Sequence, residues 1–353
     1  MREWAIAGEQ IAGDPGVVMV IGAADSGKTT LTTFLANVCH SRGVGTAIVD
    51  ADVGQSDIGP PGTIGLGLVE APIERMNDTV FAGAYFVGST TPGSHFHYMV
   101  AGTAKMVDKA RRIGARAIFV DTTGLVQGGF GRHLKQSKFD ALRPAYVVGI
   151  QRGDEIEHIL GPFERCGASK IVRVPSSPRA RPRSRDERRL FRERAFQRHL
   201  SPVTLAEIAF GRVALLRTLL GSGRALDPRG IAEVAALLGA EVSHAELLPR
   251  ALYVVGKWEE APGARRLAEA LGREEIHLVS ENAFQNLLVG LLDTAGEFVA
   301  EGVIAGIDFQ ARRMTIASSL AQAEMEAIRA VVFGAMKVAT DGREMGRISP
   351  GDI

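Results

Sequence analysis

Two aspartates, two positions apart, follow a short apolar run near the start of the chain. The stretch DADVGQSD at residues 50–57 comes directly after Thr46-Ala-Ile-Val49, which predicts a short buried parallel strand. Side chains at i and i+2 on a strand share a face, so Asp50 and Asp52 can point into one crevice. Two like charges placed together are costly unless a cation or a proton lies between them. The pair therefore indicates that another part of the chain supplies a partner.

That partner lies upstream, where residues 17–30 read VVMVIGAADSGKTT. An apolar strand, a glycine, four residues and then Gly-Lys-Thr form the phosphate-binding loop pattern, placed as required between a strand and a helix. Such a loop turns backbone N–H groups toward phosphates, and the following helix adds its positive N-terminal end. A glycine-rich turn that binds nothing is the disfavoured alternative. The predicted ATP-binding residues are Gly22, Ala23, Ala24, Asp25, Ser26, Gly27, Lys28, Thr29 and Thr30.

Within this loop, two side chains have predicted roles in phosphoryl transfer. Lys28 would reach the β- and γ-phosphates, and the Thr29 hydroxyl would bind Mg²⁺. We expect Lys28 to be an exposed loop residue that contributes nothing to the core.

Length and composition favour a two-domain intracellular enzyme. The chain has 353 residues, 46% of them apolar, and a formal net charge of +1. Cys39 and Cys166 are its only cysteines, which argues against a disulfide framework and for a reducing compartment. The first residues lack an apolar signal region, and no apolar run of 18 residues occurs. We therefore predict a cytoplasmic protein without membrane association.

Strand-like and helix-like segments alternate along the first half of the chain. Apolar runs at 17–21, 46–49, 80–87, 117–121 and 146–150 alternate with helical stretches such as 28–41 and 98–113. This alternation predicts an α/β fold, a P-loop parallel sheet with helices on both faces. Ligands bind such sheets beyond the carboxyl ends of the strands, where residues 22–29 and the aspartate pair emerge.

The predicted domains follow from these segments. Residues 1–15 form a short N-terminal segment, 16–202 a P-loop domain, and 203–353 a smaller C-terminal α+β domain with antiparallel strands. A Pro-, Ser- and Arg-rich connector is predicted at 175–184, followed by a helix at 186–199. In the C-terminal domain, β-hairpins are expected around the DTAG turn at 293–296.

Four further stretches occur in a recognisable order: DADVGQSDIGPPGTIG, GSTTPGSHFHY, DTTGLVQGGFGRHLKQSKFDALRP and RSRDERRLFRER. Together with the phosphate-binding loop, they resemble the polynucleotide 5′-hydroxyl kinase family, and most closely its short archaeal form, which lacks the N-terminal domain of eukaryotic members. The resemblance implies transfer of the γ-phosphate of ATP, or another nucleoside triphosphate, with Mg²⁺. The acceptor would be the 5′-hydroxyl of RNA, DNA or both, and RNA-processing proteins would be partners.

The resemblance also assigns roles around the aspartate pair. Asp52 would orient and deprotonate the attacking hydroxyl, and Asp50 would lie nearer the Mg²⁺, through water. Gln55 resembles the family's substrate-contacting glutamine, whose amide can donate and accept hydrogen bonds. The alternative for either aspartate is a structural one, capping the next turn.

Three more positions correspond to acceptor contacts in the family. Thr90 and Thr91 occupy a loop that contacts the acceptor strand, although an ordinary turn is the alternative. Leu125 stands where eukaryotic members have a tryptophan that stacks on a base, so here only an apolar contact is expected.

Residues 173–198 hold ten arginines against three acidic residues, a local charge of +7. Taken alone, such a run indicates a solvated face or a nucleic-acid patch. By resemblance, however, Arg183, Arg188 and Arg192 match a lid, at about 175–199, that closes over the triphosphate and excludes water. Arg188 and Arg192 are four apart and would share a helix face.

A second basic set lies at Arg132, Lys135 and Lys138, three residues apart. These side chains could follow phosphates along one helix face, or form a solvated face.

Two other functions stay open at this point. QRGD at 151–154 follows a strand with the spacing of the guanine-reading motif of GTP switches, so a regulatory GTPase or ATPase switch is one alternative. A non-catalytic ATP-binding scaffold of an RNA-processing complex is the other, although Lys28, Thr29 and Asp52 are all present.

Overall fold

The structure, a computed structural model, describes residues 2–177, 181–349 and 353. Residues 1, 178–180 and 350–352, which belong to the predicted N-terminal segment, lid and C-terminal domain, lie outside this description. The chain divides into two compact units, Met1–Ala195 and Phe196–Ile353. In the part of the chain that the structure describes, no helix is both long and apolar enough to cross a membrane.

The first unit alternates strands and helices, as its sequence predicts. Its helices are α1 Arg2–Gly13, α2 Lys28–Ser41, α3 Phe96–Ile113, α4 Gly128–Leu142, α5 Glu157–Cys166 and the start of α6 Arg185–Leu200. Its strands are β1 Val17–Gly22, β2 Thr46–Ala51, β3 Thr63–Val69, β4 Val80–Phe86, β5 Ala117–Thr122, β6 Tyr146–Gln151 and β7 Lys170–Pro175. They form one seven-stranded sheet in the order β4-β3-β2-β5-β1-β6-β7.

The central strands of this sheet are buried on both faces. Strands β2, β5, β1, β6 and β7 run parallel to one another. On β1, Val18 packs in a cluster with Leu31 of α2. Its neighbour Met19 faces the other way and packs in a cluster with Phe163 of α5. Because successive side chains of a strand point to opposite faces, helices cover both sides of the sheet. The predicted α/β P-loop class is confirmed.

One edge of the sheet differs from the prediction. Residues 80–87 were expected in the parallel sheet, but β4 pairs antiparallel with β3, and β3 pairs antiparallel with β2. The connection from β2 to β3 contains no helix, and a parallel partner needs a crossover that is usually helical. The chain therefore turns back on itself. Phe81 is 50% exposed at the resulting edge.

The topology brings three strand ends together. Strands β2, β5 and β1 are neighbours and run parallel, so their carboxyl ends lie at one edge of the sheet. The phosphate-binding loop follows β1, the aspartate pair ends β2, and Asp121 lies in the last two residues of β5. Ligands bind at this edge in open α/β sheets.

The second unit contains two sheets and three helices. Its helices are α7 Pro228–Leu238, α8 Arg265–Leu271 and α9 Gln322–Met325. Its strands are β8 Thr204–Ala209, β9 Ala214–Leu216, β10 Arg224–Ala225, β11 Glu241–Leu247, β12 Ala251–Lys257, β13 Glu275–Ser280, β14 Leu287–Leu292, β15 Phe298–Asp308, β16 Arg313–Ser318, β17 Ala330–Val338 and β18 Glu344–Arg347. Strands β10-β11-β12-β13 form one sheet; β18-β17-β14-β15-β16-β8, with β9 beside β17, form the other.

The predicted hairpin at the DTAG turn is present. Strands β14 and β15 pair antiparallel on either side of it. Asp293 stabilises the turn, because its Oδ1 accepts hydrogen bonds from the N–H groups of Ala295 and Glu297 at 2.8 and 2.9 Å.

Candidate nucleotide and acceptor site

The phosphate-binding loop joins β1 directly to α2, and its shape depends on its glycines. A Cβ on Gly22 would lie 2.5 Å from the Ile150 side chain and 2.6 Å from Ser26 Oγ, so no larger residue fits there. Gly27 has a φ of 96°, in the left-handed region that favours glycine. These two positions hold the loop in the conformation that presents backbone N–H groups to phosphates.

The loop's two chemical side chains point to different partners. Lys28 Nζ donates to the carbonyl oxygen of Ala23 at 2.8 Å. The expectation that Lys28 is exposed is wrong: only 7% of it is exposed, because the loop folds over its aliphatic stem. Thr29 Oγ1 donates to Asp121 Oδ2 at 2.8 Å, across 92 positions of sequence.

Asp121 is a site residue that the sequence analysis missed. It is 2% exposed at the end of β5, and its Oδ1 has no hydrogen-bond partner among the residues described. Burial raises the pKa of Asp121 to about 6, while the charge of Lys28 and the hydrogen bond from Thr29 act in the opposite direction. The available signal was an aspartate directly after the apolar run AIFV, the same pattern that revealed Asp50.

The two aspartates of DADVGQSD have different surroundings. Asp50 is 1% exposed, and its carboxylate accepts backbone N–H bonds from Asp52 at 3.1 Å, Asp57 at 2.6 Å and Ile58 at 3.1 Å. Burial, with the nearby charges of Asp57 and Asp121, raises the pKa of Asp50 well above its usual range. Asp50 thus organises the loop after β2.

Asp52, in contrast, is half-buried and lines the cavity described below. Its Oδ1 accepts one hydrogen bond, from the Gly54 N–H at 3.2 Å. The pair does not act as a unit: one carboxylate shapes the loop and the other faces the open space.

The arginine-rich segment meets this site through Gln55 and Asp25. Gln55 Oε1 accepts from an Arg183 guanidinium nitrogen at 3.2 Å, and Gln55 Nε2 donates to the Arg188 carbonyl oxygen at 3.4 Å. The Arg188 guanidinium forms an ion pair with Asp25 of the phosphate-binding loop. Asp25 also accepts the Arg183 backbone N–H at 3.1 Å. The start of α6 is therefore held against the loop by opposite charges.

A cavity of about 880 Å³ lies between these elements, within the size range of ligand pockets. Thirteen predicted site residues line it: Ala24, Asp25, Gly27, Lys28, Thr29, Thr30, Asp52, Gln55, Thr90, Leu125, Arg183, Arg188 and Arg192. Five others do not: Gly22, Ala23, Ser26, Asp50 and Thr91. Thr91 instead donates its backbone N–H to Ser89 Oγ at 3.2 Å, as in an ordinary turn.

Trp4 of α1 and Phe34 of α2 also line this cavity and were not predicted. Their ring centroids are 5.9 Å apart, and the Trp4 indole N–H donates to the Pro175 carbonyl oxygen at 3.1 Å. The segment before β1 carries no motif, so only the packing of α1 reveals this contribution.

The interpretation of α4 as a basic face is wrong for two of its three residues. Arg132 is exposed, but Lys135 and Lys138 are fully buried. Lys135 is held inside because Nζ donates to the Thr122 hydroxyl at 2.9 Å and to the Thr123 carbonyl oxygen at 2.6 Å. Neither lysine can follow phosphates on the surface.

QRGD at 151–154 contributes no residue to the cavity lining. Gln151 Nε2 donates to Glu157 Oε1 at 2.6 Å, and the Asp154 carbonyl oxygen accepts from Glu157 N–H at 3.0 Å. The motif forms the turn into α5.

Comparison with known proteins agrees with this site. Residues 22–201 match the family model described as the P-loop of the mRNA cleavage and polyadenylation factor CLP1. A polyribonucleotide 5′-hydroxyl-kinase of Pyrococcus furiosus is 31% identical over 332 residues, 94% of this chain and 90% of that protein. The kinase of the same name from Methanocaldococcus jannaschii is 30% identical over 341 residues, 96% and 91% of the two chains.

Among solved structures, a chain of the wild-type Clp1p–Pcf11p (454–563) complex has a TM-score of 0.59 at 8% identity. The match covers 95% of this chain and 78% of that one, and it supports the same fold. The family resemblance drawn from the sequence motifs is confirmed: the chain belongs to the CLP1 P-loop family.

Proposed function

We propose that the chain is a polynucleotide 5′-hydroxyl kinase that transfers the γ-phosphate of ATP, or of another nucleoside triphosphate, to RNA, DNA or both. The observation that carries the proposal is the cavity in which Lys28 and Thr29 face the same space as Asp52 and Gln55. A phosphate site and a carboxylate that can accept a hydroxyl proton share one pocket. The archaeal relatives, named polyribonucleotide 5′-hydroxyl-kinases, support this reading.

The residues present fit a magnesium ion at Thr29 and Asp121. Asp121 offers a buried carboxylate oxygen with no partner among the residues described, next to the Thr29 hydroxyl. Mg²⁺ prefers such hard oxygen ligands and is usually held by one or two of them. When bound, it neutralises charge on the β- and γ-phosphates. Asp50, predicted to lie near the metal, has its oxygens on backbone N–H groups, so we assign it to the loop.

The transfer then follows from the remaining side chains. The 5′-oxygen attacks the γ-phosphorus, the bond from the γ-phosphorus to the β,γ-bridging oxygen breaks, and the hydroxyl proton passes to Asp52. Lys28 stabilises the charge that develops on the phosphates. Gln55 and Thr90 line the same cavity and position the acceptor. Thr91 and Leu125 complete the acceptor side of the proposal.

Arg183, Arg188 and Arg192 act as a lid in this proposal. Arg188 pairs with Asp25, a residue of the loop that would hold the phosphates. A triphosphate carries more negative charge than one carboxylate, so it would draw the guanidinium groups toward the γ-phosphate. Closing the lid excludes water and directs the phosphate to the acceptor.

The direct test is transfer of label. The protein is incubated with γ-labelled ATP, Mg²⁺ and RNA or DNA oligomers that carry a 5′-hydroxyl. Matched oligomers of the same sequence with a 5′-phosphate are the control. We expect label on the 5′-hydroxyl oligomers and none on the control. Release of free phosphate at a rate that no oligomer changes would indicate a hydrolytic switch. Nucleotide binding without either product would indicate a scaffold.

The basic segment at 173–198 predicts that acceptor binding depends on salt. Its local charge is +7, and lysine and arginine side chains that contact phosphates release counterions on binding. The KM for a long oligomer should therefore rise steeply between about 50 mM and 200 mM salt. A dinucleotide acceptor, which reaches fewer arginines, should show a weaker dependence. Equal salt dependence for both acceptors would contradict a phosphate-binding role for this segment.

A further inference from the structure

Helix α4 carries two lysines that are completely buried within the first unit. Lys135 and Lys138 are three residues apart, and both have 0% relative exposure. A buried ammonium loses its hydration and therefore destabilises a fold unless the protein compensates it. Their surroundings differ, and the difference indicates separate roles.

Lys135 is compensated by hydrogen bonds. Its Nζ donates to Thr122 Oγ1, to the Thr123 carbonyl oxygen and to Thr123 Oγ1, at 2.9, 2.6 and 3.2 Å. An ammonium has three donors, so all of them are used. Lys135 ties α4 to the turn that follows β5, and this structural role accounts for its burial.

Lys138 has no such compensation. Within residues 2–177, 181–349 and 353, its Nζ has no hydrogen-bond partner. Burial lowers the pKa of Lys138 to about 8, while the charges of Asp52, Asp50 and Asp121 act against this shift. Because the folded chain holds this proton less readily than the unfolded chain, the charged side chain destabilises the fold at neutral pH.

The three carboxylates that interact with Lys138 belong to the nucleotide and acceptor site. Asp50 and Asp52 come from the end of β2, and Asp121 from the end of β5. Like charges placed together repel one another, and burial strengthens the repulsion. A fixed positive charge behind them offsets that repulsion at all stages of the reaction, including those before the metal binds.

We propose that Lys138 is a positioning residue for phosphoryl transfer, whose buried ammonium holds the Asp50, Asp52 and Asp121 carboxylates in their reactive arrangement. Lys138 does not contact nucleotide or acceptor, since it does not line the cavity. It acts through Asp52, which meets the 5′-hydroxyl. The inference rests on the proposed kinase function. It describes a residue retained for activity at a cost in stability, as expected where function and folding conflict.

Lys138→Met is the informative variant, because methionine keeps an unbranched side chain and removes the charge. We expect the melting temperature of the nucleotide-free protein to rise by about 2 °C or more. We expect kcat for transfer to fall roughly 10- to 100-fold, less than the 10²–10³ typical of losing a direct contact. The KM for ATP should change little, because the loop backbone and Lys28 are untouched.

Two matched lysines provide controls. Lys135→Met should lower the melting temperature, because it leaves the Thr122 and Thr123 acceptors without their donor. Lys170→Met, at a lysine that is 56% exposed and paired with Asp14, should change neither stability nor kcat. Lys138→Arg keeps the charge and should retain more transfer activity than Lys138→Met.

The outcomes separate the two levels of the proposal. A Lys138→Met protein that is as active as the unaltered chain overturns the positioning role. So does one that loses stability together with activity, which would make Lys138 structural, or a Lys138→Arg protein that is as slow as Lys138→Met. If the unaltered chain transfers no phosphate, it is the proposed function that fails, independently of every variant.

Discussion

Replacing Lys28 by alanine is expected to slow phosphoryl transfer by roughly 10³-fold, the scale of losing an essential transition-state contact. The Lys28 ammonium lies in the phosphate-binding loop, where Nζ already donates to Ala23 O at 2.8 Å. It is the loop's only cation and would stabilise the charge that develops as the γ-phosphate leaves. Single-turnover transfer from labelled ATP to a 5′-hydroxyl oligomer measures the loss.

The burial of Lys28 requires a matched control for folding. Only 7% of the residue is exposed, so alanine removes packed methylene groups as well as a charge. Lys28→Met keeps the stem and removes the charge, and it should be as slow as Lys28→Ala while melting closer to the unaltered protein. Near-normal transfer by either folded variant would place the reaction at another site.

Asp52→Asn is expected to lower kcat by about 10²–10⁴, because asparagine keeps the size of the side chain but cannot accept the hydroxyl proton. Asp52 is half-buried and faces the cavity, and only the Gly54 N–H donates to its Oδ1. The KM for ATP should stay within a few-fold of normal, since the loop from Gly22 to Thr30 holds the triphosphate. Transfer rates at saturating ATP and acceptor measure the effect.

The other two aspartates should respond differently, which tests the assignment of roles. Asp121→Asn weakens the site beside Thr29, so raising Mg²⁺ should partly restore its activity. Asp50→Asn places an amide N–H₂ against backbone donors, so it should lower the melting temperature instead. If Mg²⁺ restores Asp52→Asn and not Asp121→Asn, the roles of the two are exchanged. Normal transfer by Asp52→Asn would make the DADVGQSD pair entirely structural.

Local patterns in the sequence were sufficient for the family, the fold class and the loop. The strand at 17–22, Gly22, Gly27 and the helix from Lys28 are one contiguous stretch, so short-range rules describe them. The parallel core strands were predicted within one or two residues, because strands buried on both faces read as unbroken apolar runs. The antiparallel β3 was missed, since its sequence TIGLGLV carries glycines that weaken the strand signal.

The roles of individual side chains were decided by tertiary structure. Equal spacing made Asp50 and Asp52 look like partners, yet β2 ends so that one carboxylate lies under the backbone of residues 52–58 and the other faces the cavity. Thr29 meets Asp121 across 92 positions, and Arg188 meets Asp25 across 163. Spacing on α4 predicted a surface for Lys135 and Lys138, while packing against β5 buries both. Sequence spacing determines which side chains share a face of their own element; which neighbour covers that face, and therefore whether a charge meets water, a backbone N–H or a ligand, depends on contacts between segments far apart in the chain.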